Sequence, residues 1–273
     1  MERTKEINKY AAYLRLAELS EGTVEIYVRE AKRLREYLGG KKITKTTMIE
    51  YKKYLGRSGY APATQNLYIT AANRYLRYLG HEESTIKMNR LQSRQSLEDI
   101  ITKEEYRELI RYARESGREK YYAILRTLAM TGIRVSELQY FTAEALNKGV
   151  IRVTNKKKTR EICLPEKLIR ELRAYCEKAE IESGTIFRGN AGQPISRVAV
   201  YKMLRKMADM VGVSAEKAHP HGFRHLFAVT YMTFYSNLFE LADLLGHSSL
   251  ETTRVYARST LKEKGQRINM LDL

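Results

Sequence analysis

The chain has 273 residues, 43% hydrophobic and 30% charged, which is enough apolar material for two packed domains and argues against a disordered polymer. Lysine and arginine outnumber aspartate and glutamate by 49 to 32, a net charge of +17, so a polyanionic partner is expected, nucleic acid ahead of an anionic membrane surface. Two cysteines, Cys163 and Cys176, are too few for a disulfide framework or a four-ligand zinc site, and their apolar neighbours predict reduced, buried thiols. No apolar run reaches the length of about 18 residues that a membrane span needs. The opening MERTKEINKYAAYLRL has no apolar leader core, so a cytoplasmic location is expected.

Residues 1–80 read as a small helical domain. After the turn-like SEGT, Thr23 is placed to cap a helix with the apolar face Val24, Tyr27, Val28, Ala31, Leu34 and Leu38, ended by Gly39 and Gly40. A short helix is predicted over 48–55, GRSGYAP breaks the pattern, and a third helix covers 63–79 with Leu67, Ile69, Leu76 and Leu79. The polar run GHEESTIKMNRLQSRQSLED predicts a linker over 81–99. In the second domain, 100–273, Thr102 and Glu105 form a capping box for a helix through Ala113, and another helix over 120–130 stops at Thr131 and Gly132. In GVIRVTNKKKTREICLP, Val150, Ile151 and Val153, then Ile162 and Leu164, flank a basic tip, the pattern of a β-hairpin. Helical patterns resume over 166–178, 198–210 and from Phe223 onward, so the fold class is mainly α with a small β-sheet.

Four separated spots in the second domain hold polar residues that a core would reject. TGIRVSEL sets Arg134 in an apolar turn, where it pairs with Glu137, points to solvent or serves a site. The hairpin tip offers Lys156, Lys157, Lys158 and Arg160, and a solvated basic loop accounts for most of them. AHPHGFRHLF clusters His219, His221, Arg224 and His225; with no cysteine or carboxylate at ligand spacing and arginines alongside, anion binding fits better than a metal. The fourth spot is His247 with Tyr256.

Two arginines, a lysine, two histidines and a tyrosine suit a phosphodiester attacked by a protein nucleophile. Arginine forks bind non-bridging oxygens bidentately, and two of them offset the charge of a pentacoordinate transition state in place of a metal. A tyrosine of pKa about 10 is only ~0.1% phenolate at neutral pH. It therefore needs nearby positive charge or a histidine base, while a lysine on a loop protonates the leaving 5′ oxygen.

TGIRVSEL, HPHGFRH and LLGHSSLETTRVYAR, with 23 residues from Arg224 to His247 and nine from His247 to Tyr256, resemble the signature boxes of the tyrosine recombinase/integrase family. The resemblance covers the whole chain and is closest to Xer-like and simple phage or transposon integrases. It implies an N-terminal helical core-binding (SAM-like) domain over 1–80 and a tyrosine-recombinase catalytic domain with a C-terminal tail over 100–273. It implies that Arg134 is the first catalytic arginine, Glu137 a structural acid, His221 the base, Arg224 the second arginine, His247 a phosphate contact or proton partner, and Tyr256 the nucleophile. NKKKTREICLP resembles the family hairpin GKxxKxRxxPL, one residue shorter; Lys156, following the strand, is assigned as general acid, with Lys158 the alternative. Leu226 stands where relatives often carry threonine, and no arm-type DNA-binding domain of the larger phage integrases is expected. A short tail helix is expected over 261–271, of the kind that in the family often docks on a neighbouring protomer.

The resemblance thus implies a site-specific DNA recombinase acting through a covalent 3′-phosphotyrosyl intermediate and a Holliday junction, in DNA integration and excision or in chromosome-dimer resolution. Its rivals are type IB topoisomerase-like nicking and religation, and a DNA-binding regulator on a decayed scaffold. The expected partners are a double-stranded recombination site and further copies of the chain, a dimer on the site and a tetramer in the synapse, alone or with a related recombinase subunit. No metal, cofactor or membrane is expected.

Overall fold

The computed structural model describes residues 2–90, 100–155, 158–247 and 249–257. It divides into two units, Met1–Arg94 and Gln95–Leu273, each with its own core.

The first unit is built from α1 (Glu2–Leu16), α2 (Glu21–Leu38), α3 (Lys45–Arg57) and α4 (Pro62–Tyr78). α1 was not among the predicted helices, because its charged surface dilutes a narrow apolar stripe, Ile7, Tyr10 and Leu14, that is buried against the others. Ser20, rather than Thr23, caps α2: its hydroxyl accepts the Thr23 N–H, and Thr23 lies inside the first turn. Gly39 closes α2 in the left-handed region, as the Gly39–Gly40 pair predicts.

The beginning of the stretch read as a linker is packed onto this unit. Ile86 is buried, and its backbone N–H and C=O pair with both ends of the Asn73 side-chain amide at 2.9 and 2.8 Å. Asn66 does the same for the N–H and C=O of Asn89, at 2.7 and 3.0 Å. Two side-chain amides thereby stand in for a neighbouring strand, a device invisible to periodicity. Residues 91–99 of the linker lie outside the described residues.

The second unit comprises α5 (Lys103–Glu115), α6 (Glu119–Thr131), α7 (Ala143–Lys148), an antiparallel hairpin of β1 (Val150–Asn155) and β2 (Lys158–Cys163), then α8 (Glu166–Lys178), α9 (Arg197–Val211), α10 (Pro220–Tyr235), α11 (Leu238–Leu245) and α12 (Glu251–Arg254). The predicted capping box starts α5, with Glu105 N–H on the Thr102 hydroxyl and Thr102 N–H on the Glu105 carboxylate. α10 packs on α6, and Leu125, Leu128, Ile151, Val153, Leu168, Phe187, Leu204 and Phe223 fill the core. In the hairpin, Ile151 faces Ile162 and Val153 faces Arg160, so these four share the inward face. Cys163 falls on the opposite face and is exposed, which corrects the expectation of two buried thiols; Cys176 is buried. The tail helix expected over 261–271 lies outside the described residues.

Candidate active site

α10 opens the site. His219 is its N-cap, the imidazole Nδ1 accepting the Gly222 N–H at 3.2 Å, and Pro220 follows at the first helical position. His221, Arg224 and His225 then share one face of the helix at i, i+3 and i+4. Gly222 allows the entry: a Cβ there would lie 2.1 Å from the Lys217 carbonyl oxygen.

Arg224 is 2% exposed, and its guanidinium donates to the carbonyls of Gly132 at 2.7 Å and Leu245 at 2.6 Å. Arg134 donates to the Gly246 carbonyl at 2.9 Å and to Glu137 at 3.2 Å. Gly132 and Gly246 end α6 and α11 in left-handed conformations, with φ 61° and 62°. The last carbonyls of a helix have no intrahelical partner and carry its negative dipole end, so here they hold cations without cancelling their charge.

Glu137 is the counterion beneath this pair. At 2% exposure it accepts the Arg134 backbone N–H at 2.8 Å and both Nη atoms of Arg160 at 3.0 and 2.8 Å. Burial alone would raise its carboxyl, but the Arg160 hydrogen bonds, followed by the Arg134 contacts, hold it below the ordinary carboxylate range.

On the far side, His247 Nδ1 is hydrogen-bonded to the fully buried Thr253 hydroxyl at 2.7 Å. Tyr256, in the turn after α12, is hydrogen-bonded through its phenol to His225 Nδ1. Burial and the surrounding arginines push His247 down to about 4; burial and His221 push His225 to the same range. His221 opens to the cleft, and partial burial of its ring together with Arg224 lowers it as well. Burial pushes the Tyr256 phenol up to about 12, against the pull of Arg224. Burial and Arg134 push Arg224 down to about 10, so it remains a cation at neutral pH. The site is therefore three cationic guanidiniums and one carboxylate surrounded by neutral imidazoles and a neutral phenol. Arg134, His221 and Arg224 line its cleft together with Arg197, Tyr201 and Lys202 of α9.

Of the residues singled out in the sequence, Arg134, His221, Arg224, His247 and Tyr256 come together in this one region. Lys156 lies outside the described residues, and the alternative, Lys158, is the first residue of β2. His225, named in the histidine cluster, and Arg160, named at the hairpin tip, join them although the sequence gave neither a role, and Thr253 was not foreseen. Arg160 had a readable signal, since strand alternation places it two residues from Ile162 on the inward face. Among the described residues, no group of three or more His, Cys, Asp or Glu is arranged to hold a metal ion, and no helix is long and apolar enough to cross a membrane.

Carbonyl-anchored arginines facing a tyrosine are the equipment of phosphoryl transfer to a protein hydroxyl, and the protein is a tyrosine-type site-specific DNA recombinase. Residues 99–263 match the phage integrase family and residues 7–83 match the phage integrase N-terminal SAM-like domain. The chain belongs to the phage integrase family. It is 28% identical over 281 residues to tyrosine recombinase XerA of Pyrococcus furiosus, covering 99% of this chain and 96% of the relative. It is 36% identical over 152 residues to tyrosine recombinase XerC of Thermodesulfovibrio yellowstonii, covering 51% of this chain and 50% of that one. Among solved structures, the Tn1549 transposon integrase in complex with circular intermediate DNA shares the fold, with TM-score 0.78 at 16% identity over 97% of this chain and 99% of that chain. XerH bound to palindromic difH substrate has TM-score 0.74 at 20% identity, over 98% and 85%.

Proposed function

We propose that Tyr256 attacks the scissile phosphate of a duplex recombination site while Arg134 and Arg224 bind its non-bridging oxygens. The Tyr256–phosphorus bond forms as the bond to the 5′ oxygen breaks. His221 takes the phenolic proton, Lys156 protonates the departing 5′ oxygen, and His247 donates to the phosphate. The 5′ hydroxyl of a partner strand then attacks the phosphotyrosine and restores a diester, so bond energy is conserved and strands exchange through a Holliday junction. The observation that carries this reading is the anchoring of both guanidiniums on the Gly132, Leu245 and Gly246 carbonyls, which leaves their charge available to an anion.

DNA is the partner this reading requires, with a dimer on each site and a tetramer in the synapse, in the cytoplasm. The DNA complexes of the Tn1549 integrase and XerH, and a lambda integrase dimer bound to a core site, support it by likeness of fold. The N-terminal domain, 1–80, and the catalytic domain, 100–273, would each contact the duplex. The test starts from a site recovered by binding selection from random duplexes with the full chain, built into a nicked duplex that traps cleavage. The wild type forms a covalent 3′ adduct in EDTA and Tyr256→Phe forms none; an adduct with the phenylalanine variant refutes the nucleophile. Sequence-dependent dimer binding separates this activity from one-strand relaxation by a monomer.

A further inference from the structure

We propose that Arg160 is a positioning residue that holds the Glu137 charge away from Arg134, so that Arg134 keeps its full charge for the phosphate; this rests on the assignment of Arg134 and Arg224 to the phosphate. A buried carboxylate beside a catalytic guanidinium is a hazard. Left alone with Arg134 in a low-dielectric pocket, Glu137 would form a bidentate pair and neutralise it. Arg160 occupies that fork instead. Its two Nη atoms reach both Glu137 oxygens at 3.0 and 2.8 Å, whereas Arg134 makes one guanidinium contact at 3.2 Å and turns its other Nη to Gly246.

The position of Arg160 is fixed from two sides. On the hairpin it faces Val153 on the inward face, and only 17% of its side chain is exposed. At the other end its guanidinium lies close against Gly246, where a Cβ would come 2.6 Å from Nη1 and 2.9 Å from Cζ. Gly246 thus serves two purposes, a left-handed helix end whose carbonyl holds Arg134 and a bare surface against which Arg160 packs. One residue of the hairpin thereby ties together the arginine box and the turn before His247.

The test uses the nicked duplex described above, once with a normal scissile phosphodiester and once with a neutral methylphosphonate. Arg160→Gln slows cleavage of the diester roughly 100-fold, the scale of losing one aligned charge in such a site. On the methylphosphonate, which demands less positive charge, the deficit shrinks to within about tenfold of wild type on the same probe. Glu137→Gln introduced into Arg160→Gln removes the carboxylate that would otherwise neutralise Arg134 and restores diester cleavage most of the way. Thermal melts identify a folded variant, and Arg160→Lys replaces the glutamine variant if that one does not fold; it retains the charge without the fork and falls between wild type and glutamine. An equal deficit on both probes, or a double variant no faster than the single one, overturns the proposal. Arg134→Gln is run alongside: wild-type diester cleavage by that variant refutes the phosphate assignment itself, whereas wild-type cleavage by Arg160→Gln beside an inactive Arg134→Gln refutes only the role of Arg160.

Discussion

Arg224 and its histidine neighbours show how burial and charge work against each other in one place. The guanidinium is buried at the wall of the cleft, and both terminal nitrogens are bonded to carbonyls that a lysine ammonium could not span together. Burial first, and the surrounding positive groups second, keep His225 and His247 neutral, and this has a thermodynamic consequence. Their ordinary value is 6.5 and their folded value about 4, so as pH falls the unfolded chain takes up protons before the folded chain does. Stability is therefore whole above pH 6.5 and declines between 6.5 and about 4, and the Glu137 contribution is lost only further into the carboxylate range. Urea unfolding followed across this window should show falling midpoints, and His247→Asn should flatten the slope. A midpoint that rises on acidification through this window would contradict the neutral imidazoles.

At the scale of elements, α10 carries three of the site's side chains, so its entry turn governs their placement. Gly222→Ala drives a Cβ into the Lys217 carbonyl, a backbone atom with little room to move. The expected result is a loss of roughly 1–3 kcal/mol in urea unfolding together with reduced strand cleavage, because α10 must shift to relieve the contact. The capping box of α5 and the helix over 166–178 were readable because local chemistry decides them: a reciprocal Thr–Glu pair, and a proline followed by an amphipathic run. α1 and the packed segment around Ile86 and Asn89 were not, since their partners lie far along the chain and no local pattern announces them. Cys163 was misplaced for the same reason, because the apolar residues around it belong to the inward face and it does not.

For the molecule as a whole, the surplus of cations decides how it meets its partner. Binding to duplex DNA should weaken steeply with salt, by about 10³-fold between 50 and 200 mM if roughly six phosphates are neutralised, and a fluorescence-anisotropy titration series measures the slope. A nearly flat salt response would break the link between the charge of +17 and DNA binding. The gathering of the site was legible at this scale, because Arg134, His221, Arg224, His247 and Tyr256, far apart in sequence, were expected around one phosphate and lie in one region. In the supporting layer only the inward placement of Arg160 was readable, since its pairing with Glu137 and that of Thr253 with His247 are contacts that only the folded chain makes. The resting hydrogen bond of Tyr256 to His225 also bears on chemical vulnerability. Electrophiles such as nitrating and iodinating agents attack phenolate, and a half-buried phenol at about 12 offers almost none. Among 20 tyrosines, the exposed Tyr54, Tyr201 and Tyr235 should be modified well before Tyr256 in the DNA-free chain. The residue proposed as the nucleophile is thus shielded from random damage in the DNA-free chain.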